Sequence, residues 1–222
     1  MPVPSTVMGS VLDPQVLQLL RILEEEGNDL AKRGDWEGIT FEQTHITLAA
    51  EDQGAIATIA TNGFRYIKNE TIWDRTDKLP IALMGSKLWQ TMKAIASVGP
   101  RYRYRIRGGR LLVNPTPTAG HTWAFEYISK NWILGVDGVT YKQYFTLDTD
   151  TVLLPEDLIL QGLRWRWKKE KGLEYAEDMR TYEAQVQTQL GRDGGKERLC
   201  MDSAEREPRP GIWVNDMSWP LP

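Results

Sequence analysis

The chain has 222 residues, with 27 Lys and Arg against 30 Asp and Glu, which gives a formal net charge of −3. A chain of this length can bury a core as one large domain or two small ones without disulfide staples. The missing basic excess argues against nucleic-acid binding by the whole chain, and the single cysteine, Cys200, excludes an internal disulfide.

No metal, cofactor or membrane partner is predicted. The two histidines, His45 and His121, form no zinc-binding pattern. Residues 1–15 contain neither a basic n-region nor a long apolar run, and no segment approaches the roughly 20 apolar residues that a membrane span needs. We therefore expect a protein that is made and kept in a reducing cytoplasm.

The first predicted element is a helix in the N-terminal region, residues 1–35. Asp13 can cap it and Pro14 suits its first position. Glu24–Glu26 followed by Gly27 and Asn28 predicts fraying or a bend, with a possible continuation to Gly34. The buried stripe of this helix is predicted to be Val16, Leu19, Leu20 and Leu23.

Residues 36–150 are predicted to form a β-rich inserted domain. The segments GITFEQTHITLA, AIATIATNGFRYI, NETIWDRTDKLPIAL, HTWAFEYISKNW and VTYKQYFTLDTD have strand composition, with polar or glycine breaks between them. HTWAFEYISKNW carries apolar residues on both faces. Within the domain, Ser86 can cap a short helix that carries Leu88, Trp89, Met92 and Ile95, and this helix resembles a lid over a sheet.

The clearest hairpin prediction is RYRYRIRGGRLLVNP. Gly108-Gly109 suits a tight turn, and alternation places one row of guanidinium groups on one face of the strand: Arg101, Arg103, Arg105 and Arg107. Two interpretations stay open. The row is a phosphate-binding surface that acts without regard to sequence, or it is a solvated face with nearby carboxylate partners.

Residues 151–192 are predicted to form a helical hairpin. The first helix starts at Pro155 with Glu156 and Asp157 in its first turn, and it ends at Gly172 behind a cluster of basic residues. The second helix ends near Gly191. The apolar residues of the first helix point in more directions than one core face can cover. Either the same chain covers both sides, or a neighbouring subunit covers one of them through Trp165, Trp167, Tyr175 and Met179.

The last segment, residues 193–222, is predicted to be an extended arm. Its end is apolar: Ile212, Trp213, Val214, Met217, Trp219 and Leu221. Full burial of the two tryptophans would contribute about 8 kcal/mol before ordering costs. Such an arm suits docking on another subunit or a partner, and the alternative is that it folds back over its own domain.

No catalytic residue is predicted. The sequence contains no GxSxG, no Walker-type phosphate loop, no HExxH, and no cysteine with a histidine at a family spacing. A non-enzymatic protein is therefore expected.

Three blocks carry a family resemblance: WDRTDKLPIALMGSKLWQTMKA (73–94), YRIRGGRLLVNPTPTAGHTWAFEYISKNWI (104–133) and DTDTVLLPEDLILQGLRWRWKKEKGLEYAEDMRTYEAQV (148–186). In this order they resemble the head-to-tail adaptor proteins of tailed bacteriophages, of the tail tubular protein A group. The resemblance covers roughly residues 36–192. The N-terminal helix and the arm are similar only in general layout.

The resemblance implies an α+β virion protein without catalysis, with a helical bundle made by the N-terminal helix and the C-terminal helix pair. It implies a homo-oligomeric ring, a dodecamer, that joins the portal protein to the tail tube or nozzle while DNA passes through without sequence-specific contacts. The arm then binds the portal through Trp213 and Trp219, and Arg101 to Arg110 face the channel or a neighbouring subunit.

Two other classes of protein remain open. Nine tryptophans are unusual for this length, and they could form sugar platforms in a carbohydrate-binding or peptidoglycan-degrading module. Some adaptors have been assigned cell-wall hydrolysis, but no motif here carries that activity. A sequence-independent DNA-binding protein would use the arginine strand.

Overall fold

The structure, a computed structural model, describes residue 8 and residues 13–68, 71–95 and 101–193. These residues form a mixed fold of helices and mostly antiparallel sheets, which confirms the predicted α+β class. They divide into two compact units. The first takes the described residues of 1–41, 60–66 and 127–196, and the second takes those of 42–59 and 67–126. The domain boundaries at 35, 150 and 192 stay predictions.

The helices of the described residues are α1 (Pro14–Leu30), α2 (Ile56–Ile59), α3 (Ser86–Ile95), α4 (Glu156–Glu170) and α5 (Ala176–Arg192). The strands are β1 (Thr40–Ile46), β2 (Asp52–Ala55), β3 (Phe64–Ile67), β4 (Trp73–Asp74), β5 (Leu79–Pro80), β6 (Ala82–Leu83), β7 (Arg103–Arg107), β8 (Arg110–Asn114), β9 (Thr122–Ser129), β10 (Ile133–Leu134), β11 (Tyr141–Lys142) and β12 (Thr151–Val152).

The helix ends follow the local chemistry of the chain. The Asp13 carboxylate accepts a hydrogen bond from the Gln15 N–H at 2.9 Å, so this residue caps α1 as predicted. Gly172 has a φ of 67°, and α4 ends in a Schellman motif because Gly172 N–H donates to Lys169 and Leu173 N–H donates to Lys168. The predicted turn between the two C-terminal helices is confirmed.

Three helices of the first unit pack on one core. Lys171, just after α4, donates a hydrogen bond to Gln18 in the first half of α1. Arg166, which is earlier in α4, pairs with Glu26, which is later in α1. The two helices therefore run antiparallel. The core also takes residues of β9 and β10 and of the loops beside them. Its largest buried members are Leu30, Trp36, Ile39, Ile128, Trp132, Ile133, Leu158, Ile159, Trp165, Tyr182 and Val186.

Gly27 has a packing role and does not break α1. The helix runs through it to Leu30, contrary to the predicted bend. A Cβ at Gly27 would lie 2.2 Å from the Trp132 ring. A side chain is therefore excluded there because the helix backbone approaches the indole directly.

The second unit contains a four-stranded sheet in the order β2-β8-β7-β6, in which β6 and β7 are parallel. β7 and β8 form the predicted hairpin, and Gly108 and Gly109 at its turn have φ values of 57° and 71°. From α3, Trp89 and Met92 pack with Met84 and Leu112, so the predicted cover over a sheet is present for these two residues, whereas Leu88 and Ile95 are 62% and 70% exposed.

The largest sheet has the order β1-β9-β4-β5, and β3 also pairs with β9. β9 is buried on both faces, as predicted, with Glu126 the one exposed side chain of the strand. Its buried side chains include Trp123, Phe125 and Tyr127 on one face and Ala124 and Ile128 on the other.

Two strand predictions are wrong. Ile56–Ile59, predicted as strand, form the single helical turn α2, in which Ile56 is buried and Ala57 and Thr58 are exposed. VTYKQYFTLDTD forms a strand only at Tyr141–Lys142. Beyond it, Asp150 organises the segment as a loop by accepting bonds from the Thr146 and Leu147 N–H groups.

Asp150 is an ionised anchor of this loop. Its side chain is fully buried, Lys142 Nζ donates to it at 2.8 Å, and the two backbone N–H groups donate at 2.8 and 3.0 Å. Burial alone would raise the pKa of Asp150, but these donors hold the pKa at about 2.

We expect Asp150→Asn to lower the free energy of unfolding at pH 7 by about 2 kcal/mol, because charge-assisted bonds are lost. A carboxyl with a depressed folded pKa stabilises the fold above its unfolded pKa of about 3.9, and this contribution disappears as pH falls through the folded value. Urea unfolding should show a constant gap between wild type and variant from pH 7 to 5 that closes toward pH 2. The exposed Glu25→Gln is the control, and a gap that persists at pH 2 would contradict the assignment.

Candidate assembly interface

The three helices of the first unit enclose an open groove of about 540 Å³. Its lining brings together two of the residues predicted for a subunit interface, Trp165 of α4 and Met179 of α5. The other lining residues are mostly charged: Glu25, Asn28, Asp29, Lys32, Arg33, Arg166 and Glu183. A partner side chain entering this groove would meet one apolar ring and several charges.

A buried polar network connects the helices beneath the groove. Glu26 of α1 is fully buried and accepts hydrogen bonds from the Tyr182 hydroxyl and from Arg166 Nε. Burial and the neighbouring Glu26 carboxylate raise the pKa of Tyr182, so its hydroxyl stays a donor at neutral pH. A Cβ on Gly162 of α4 would lie 2.2 Å from the Glu26 carboxylate. Glycine there leaves the space that the carboxylate occupies.

The network continues to the groove surface. Arg166 Nη2 donates to Asp29 Oδ2 at 2.9 Å, and Arg33 Nη2 donates to the same oxygen at 3.1 Å. Arg33 Nη1 donates to both Glu183 oxygens at 2.7 Å. Each of the three helices therefore contributes an ionised group, and the groove wall has a fixed pattern of charge.

Trp165 is only 6% exposed, and its ring lies 6.5 Å from Tyr175 and 6.2 Å from Tyr182 between ring centroids. Its own chain therefore covers most of the indole. Nε1 of Trp165 and Oε1 of Gln161, one turn earlier on α4, are buried without hydrogen-bond partners among the described residues. Each such atom costs roughly 1–3 kcal/mol, which makes this the least satisfied part of the helix pair.

The other predicted interface residues lie nearer to solvent. Trp167 is half-buried, with Lys171 Nζ 4.4 Å from its ring centroid, Tyr175 is partly buried against the core, and Met179 is 38% exposed. Trp165, Tyr175 and Met179 are thus brought to one region of the helix pair, while Trp167 contacts Lys171. Their role between subunits stays a prediction.

The structure adds two exposed leucines that the predicted interface omitted. Leu160 of α4 is 54% exposed, and Leu173 in the turn between α4 and α5 is 56% exposed. The signal for Leu160 was present in the sequence, because Leu160, Arg164 and Trp167 lie at i, i+4 and i+7 on one face of α4.

The arginine row predicted for the hairpin lies in the second unit. Arg103, Arg105 and Arg107 are on β7, and Arg101 precedes the strand. Arg105 Nη2 donates to Ser86 Oγ at 2.9 Å. The predicted core face opposite the row is confirmed at Tyr104, which is buried.

The second unit also brings together Asp74, Asp77 and His121, whose potential ligand atoms lie within 4.8 Å of one another. Sequence spacing did not indicate this group. Both Asp74 oxygens are already used, since Thr76 and Asp77 N–H donate to Oδ1 while His121 Nδ1 and Trp123 Nε1 approach Oδ2. Despite its burial, these contacts lower the pKa of Asp74. The arrangement holds the turn after β4.

Most tryptophans of the described residues are structural. Buried indoles are Trp36, Trp89, Trp123, Trp132 and Trp165, and the two that reach the surface are Trp73 and Trp167. Trp73 lines an open groove of about 630 Å³ together with the Arg75–Glu42 ion pair. The high tryptophan content therefore reflects core packing more than a set of sugar platforms.

The arm residues Ile212, Trp213, Val214, Met217, Trp219 and Leu221 lie outside the described residues, so the portal-binding arm stays a prediction. The sequence matches no protein-family model, and no curated protein matches it. In the described parts of the chain, every helix is too short or too polar to cross a bilayer.

Proposed function

We propose that this protein is a head-to-tail adaptor of a tailed bacteriophage, a structural virion protein at the junction of head and tail. Copies of the chain form a ring, a dodecamer in the proposal, that joins the portal protein to the tail tube or nozzle and lets DNA pass. The three sequence blocks that resemble this family support the proposal. No catalysis, cofactor or membrane is part of it.

The observation that carries the proposal is the apolar surface left on the helix pair. Leu160, Leu173 and Met179 are each more than one-third exposed, and Trp167 is half-buried. Neighbouring copies in a ring would bury these side chains, and burial of apolar surface favours association. In the proposal, α1, α4 and α5 form the ring-building bundle, and the β-rich insert faces a neighbouring subunit or the tail.

The carbohydrate-binding alternative has less support. Five of the seven described tryptophans are buried, and the groove beside Trp73 is open and partly occupied by an ion pair. A sugar platform needs an exposed aromatic face, and only Trp73 and Trp167 offer part of one.

We expect Leu160→Asp with Leu173→Asp to reduce ring assembly on the portal at least tenfold. Two carboxylates at a buried contact would have to be desolvated, whereas both lie in solvent on the free chain. Electron microscopy of the protein mixed with portal rings of the same phage measures the fraction of portals that carry an added ring.

The matched control is Ala184→Asp with Gln187→Asp, because both positions are exposed on α5 and the charge change is the same. The control should decorate portals like wild type. Equal decoration by the leucine variant would show that the exposed leucines do not carry assembly and would remove the main support for the proposal.

A further inference from the structure

The β10–β11 turn, residues 135–140, holds two apolar side chains in solvent. Val136 and Val139 are 66% and 75% exposed. Gly135 N–H donates to the Thr140 carbonyl at 2.8 Å, and Gly138 N–H donates to the Gly135 carbonyl at 2.9 Å. Gly138 has a φ of 68°, a conformation that glycine adopts without strain. The turn is therefore fixed by its own backbone, and the two valines stay at the surface.

The same turn carries a negative charge between its valines. Asp137 accepts hydrogen bonds from the Thr140 hydroxyl and from the N–H groups of Thr140 and Val139, the latter two at 2.9 and 3.1 Å. These donors hold the pKa of Asp137 at about 2, so its carboxyl is ionised at neutral pH. Within the described ranges, no cation forms an ion pair with it. The turn presents a fixed charge flanked by apolar side chains.

The cleft between α4 and α5 carries the opposite charge. It has a volume of about 240 Å³ and is lined by Gln161, Arg164, Asp178, Thr181 and Gln185. Asp178, the one acid of this lining, already pairs with Lys168. Arg164 is exposed and forms no hydrogen bond or ion pair among the described residues, whereas Arg166 and Lys168 of the same helix are paired. The cleft therefore has a positive charge that its own chain does not neutralise.

Apolar side chains flank this cation as well. Leu160 and Trp167 lie four residues before and three residues after Arg164, on the same face of α4. Leu160 is exposed and Trp167 is half-buried. The helix face thus repeats the pattern of the turn with the opposite sign of charge, because each has one charged group between two apolar side chains.

We propose that the β10–β11 turn of one copy docks in the α4–α5 cleft of the next copy. Asp137 then pairs with Arg164, and the two valines cover Leu160. Both surfaces belong to the first unit and both are exposed there, so the chain does not make this contact with itself. Pairs of arginine and carboxylate are among the strong polar contacts, and the apolar groups around this one exclude water from it. A turn that is already rigid loses little conformational freedom on docking.

The contact joins two different surfaces, which makes it heterologous. Each copy gives its turn to one neighbour and receives the turn of another, so the contact repeats from copy to copy and can close into a ring. A contact between two identical patches would stop at a dimer. The inference deepens the proposed function, on which it rests, since it names the second surface that a ring needs beside the exposed helix pair.

Cross-linking of two single-cysteine variants tests the contact. One carries Val139→Cys and the other carries Thr181→Cys, each in the full chain with Cys200→Ser to remove the native thiol. The two are mixed in equal amounts, assembled on portal rings of the same phage and treated with a short bismaleimide. We expect cross-linked dimers in the mixture and none with either variant alone. A chain that carries both changes should give a ladder of larger multimers.

The matched control replaces Thr181→Cys by Gln187→Cys. Gln187 is also exposed on α5, but it lies two residues beyond Gln185 and therefore on a different face of the helix. Its mixture with the Val139→Cys variant should give no cross-linked dimer, although the ring assembles.

Arg164→Glu tests the charge pairing separately. A glutamate there would face Asp137, and this repulsion should lower the fraction of decorated portals at least tenfold. Addition of Asp137→Asn should recover part of the decoration, because the amide removes the repulsion while its oxygen still accepts the N–H bonds of the turn. The control Arg180→Glu makes the same change of charge at another exposed site on α5 and should decorate portals like wild type.

Decorated portals without cross-linked dimers in the Val139→Cys and Thr181→Cys mixture overturn the inference, and they leave the adaptor function standing because the ring then forms through other surfaces. Equal decoration by Arg164→Glu and wild type also overturns it. A product between the Val139→Cys variant and a portal subunit would assign the turn to the portal instead. Portals that stay bare with the wild-type chain reject the proposed function and this inference with it.

Discussion

Glu26→Ala is expected to lower the free energy of unfolding by about 3 kcal/mol, the largest single-residue effect we predict from the structure. The substitution removes the only carboxylate that bonds both the Tyr182 hydroxyl and Arg166 Nε. The Tyr182 hydroxyl is buried and would lose its acceptor, while Arg166 would keep its bond to Asp29. Arg166 is about one-fifth exposed, so the expected cost lies at the low end for a broken buried pair.

Urea unfolding at pH 7 measures this effect, with Glu25→Ala as the control. Glu25 neighbours Glu26 on α1 but is exposed, and its substitution should change stability by less than about 0.5 kcal/mol. Glu26→Gln should give an intermediate loss, because the amide oxygen still accepts a bond but carries no charge. If Glu26→Ala were no more destabilising than the control, the network would contribute nothing to the helix packing.

Deletion of residues 208–222 is expected to abolish attachment to the portal while the rest of the chain stays folded. The argument comes from the sequence: the segment ends in apolar residues that include Trp213 and Trp219. Loss of even one-third of the roughly 8 kcal/mol assigned to the two indoles corresponds to about a 100-fold weaker complex. Pull-down on immobilised portal rings measures attachment, and circular dichroism checks the fold.

Two double variants test whether the tryptophans of this segment account for the effect of the deletion. Trp213→Ala with Trp219→Ala should lose most of the attachment, whereas Arg206→Gln with Arg209→Gln, in or beside the same segment, should keep it. Portal binding by the truncated protein at the wild-type level would reject the arm as the portal contact.

Local signals predicted much of the fold. The Asp13 cap, the glycine turn of the arginine hairpin, the Gly172 terminator and the two-sided β9 all depend on neighbours in sequence, and the structure has each of them. Predictions failed where tertiary contacts decide the outcome. From the local sequence, Gly27 suggests a break in the helix. In the structure its backbone packs against the ring of Trp132, which is distant in sequence.

The candidate site could be predicted only in part. The amphipathic pattern identified the helix pair and its aromatic residues, but it could not show that Trp165 is covered by Tyr175 and Tyr182 while Leu160 stays exposed. Glu26 was missed because Glu24–Glu26 was interpreted as a fraying end. Its position in the apolar stripe, three residues after Leu23 and four before Leu30, was the available signal for a buried charge.

The most direct test of the adaptor assignment is electron microscopy of the purified protein mixed with the portal protein of the same phage. The account predicts an additional ring of this chain beneath the portal, with the same rotational symmetry in every decorated particle. Portals that stay bare at saturating protein concentration, with the protein remaining monomeric in the same solution, would contradict it.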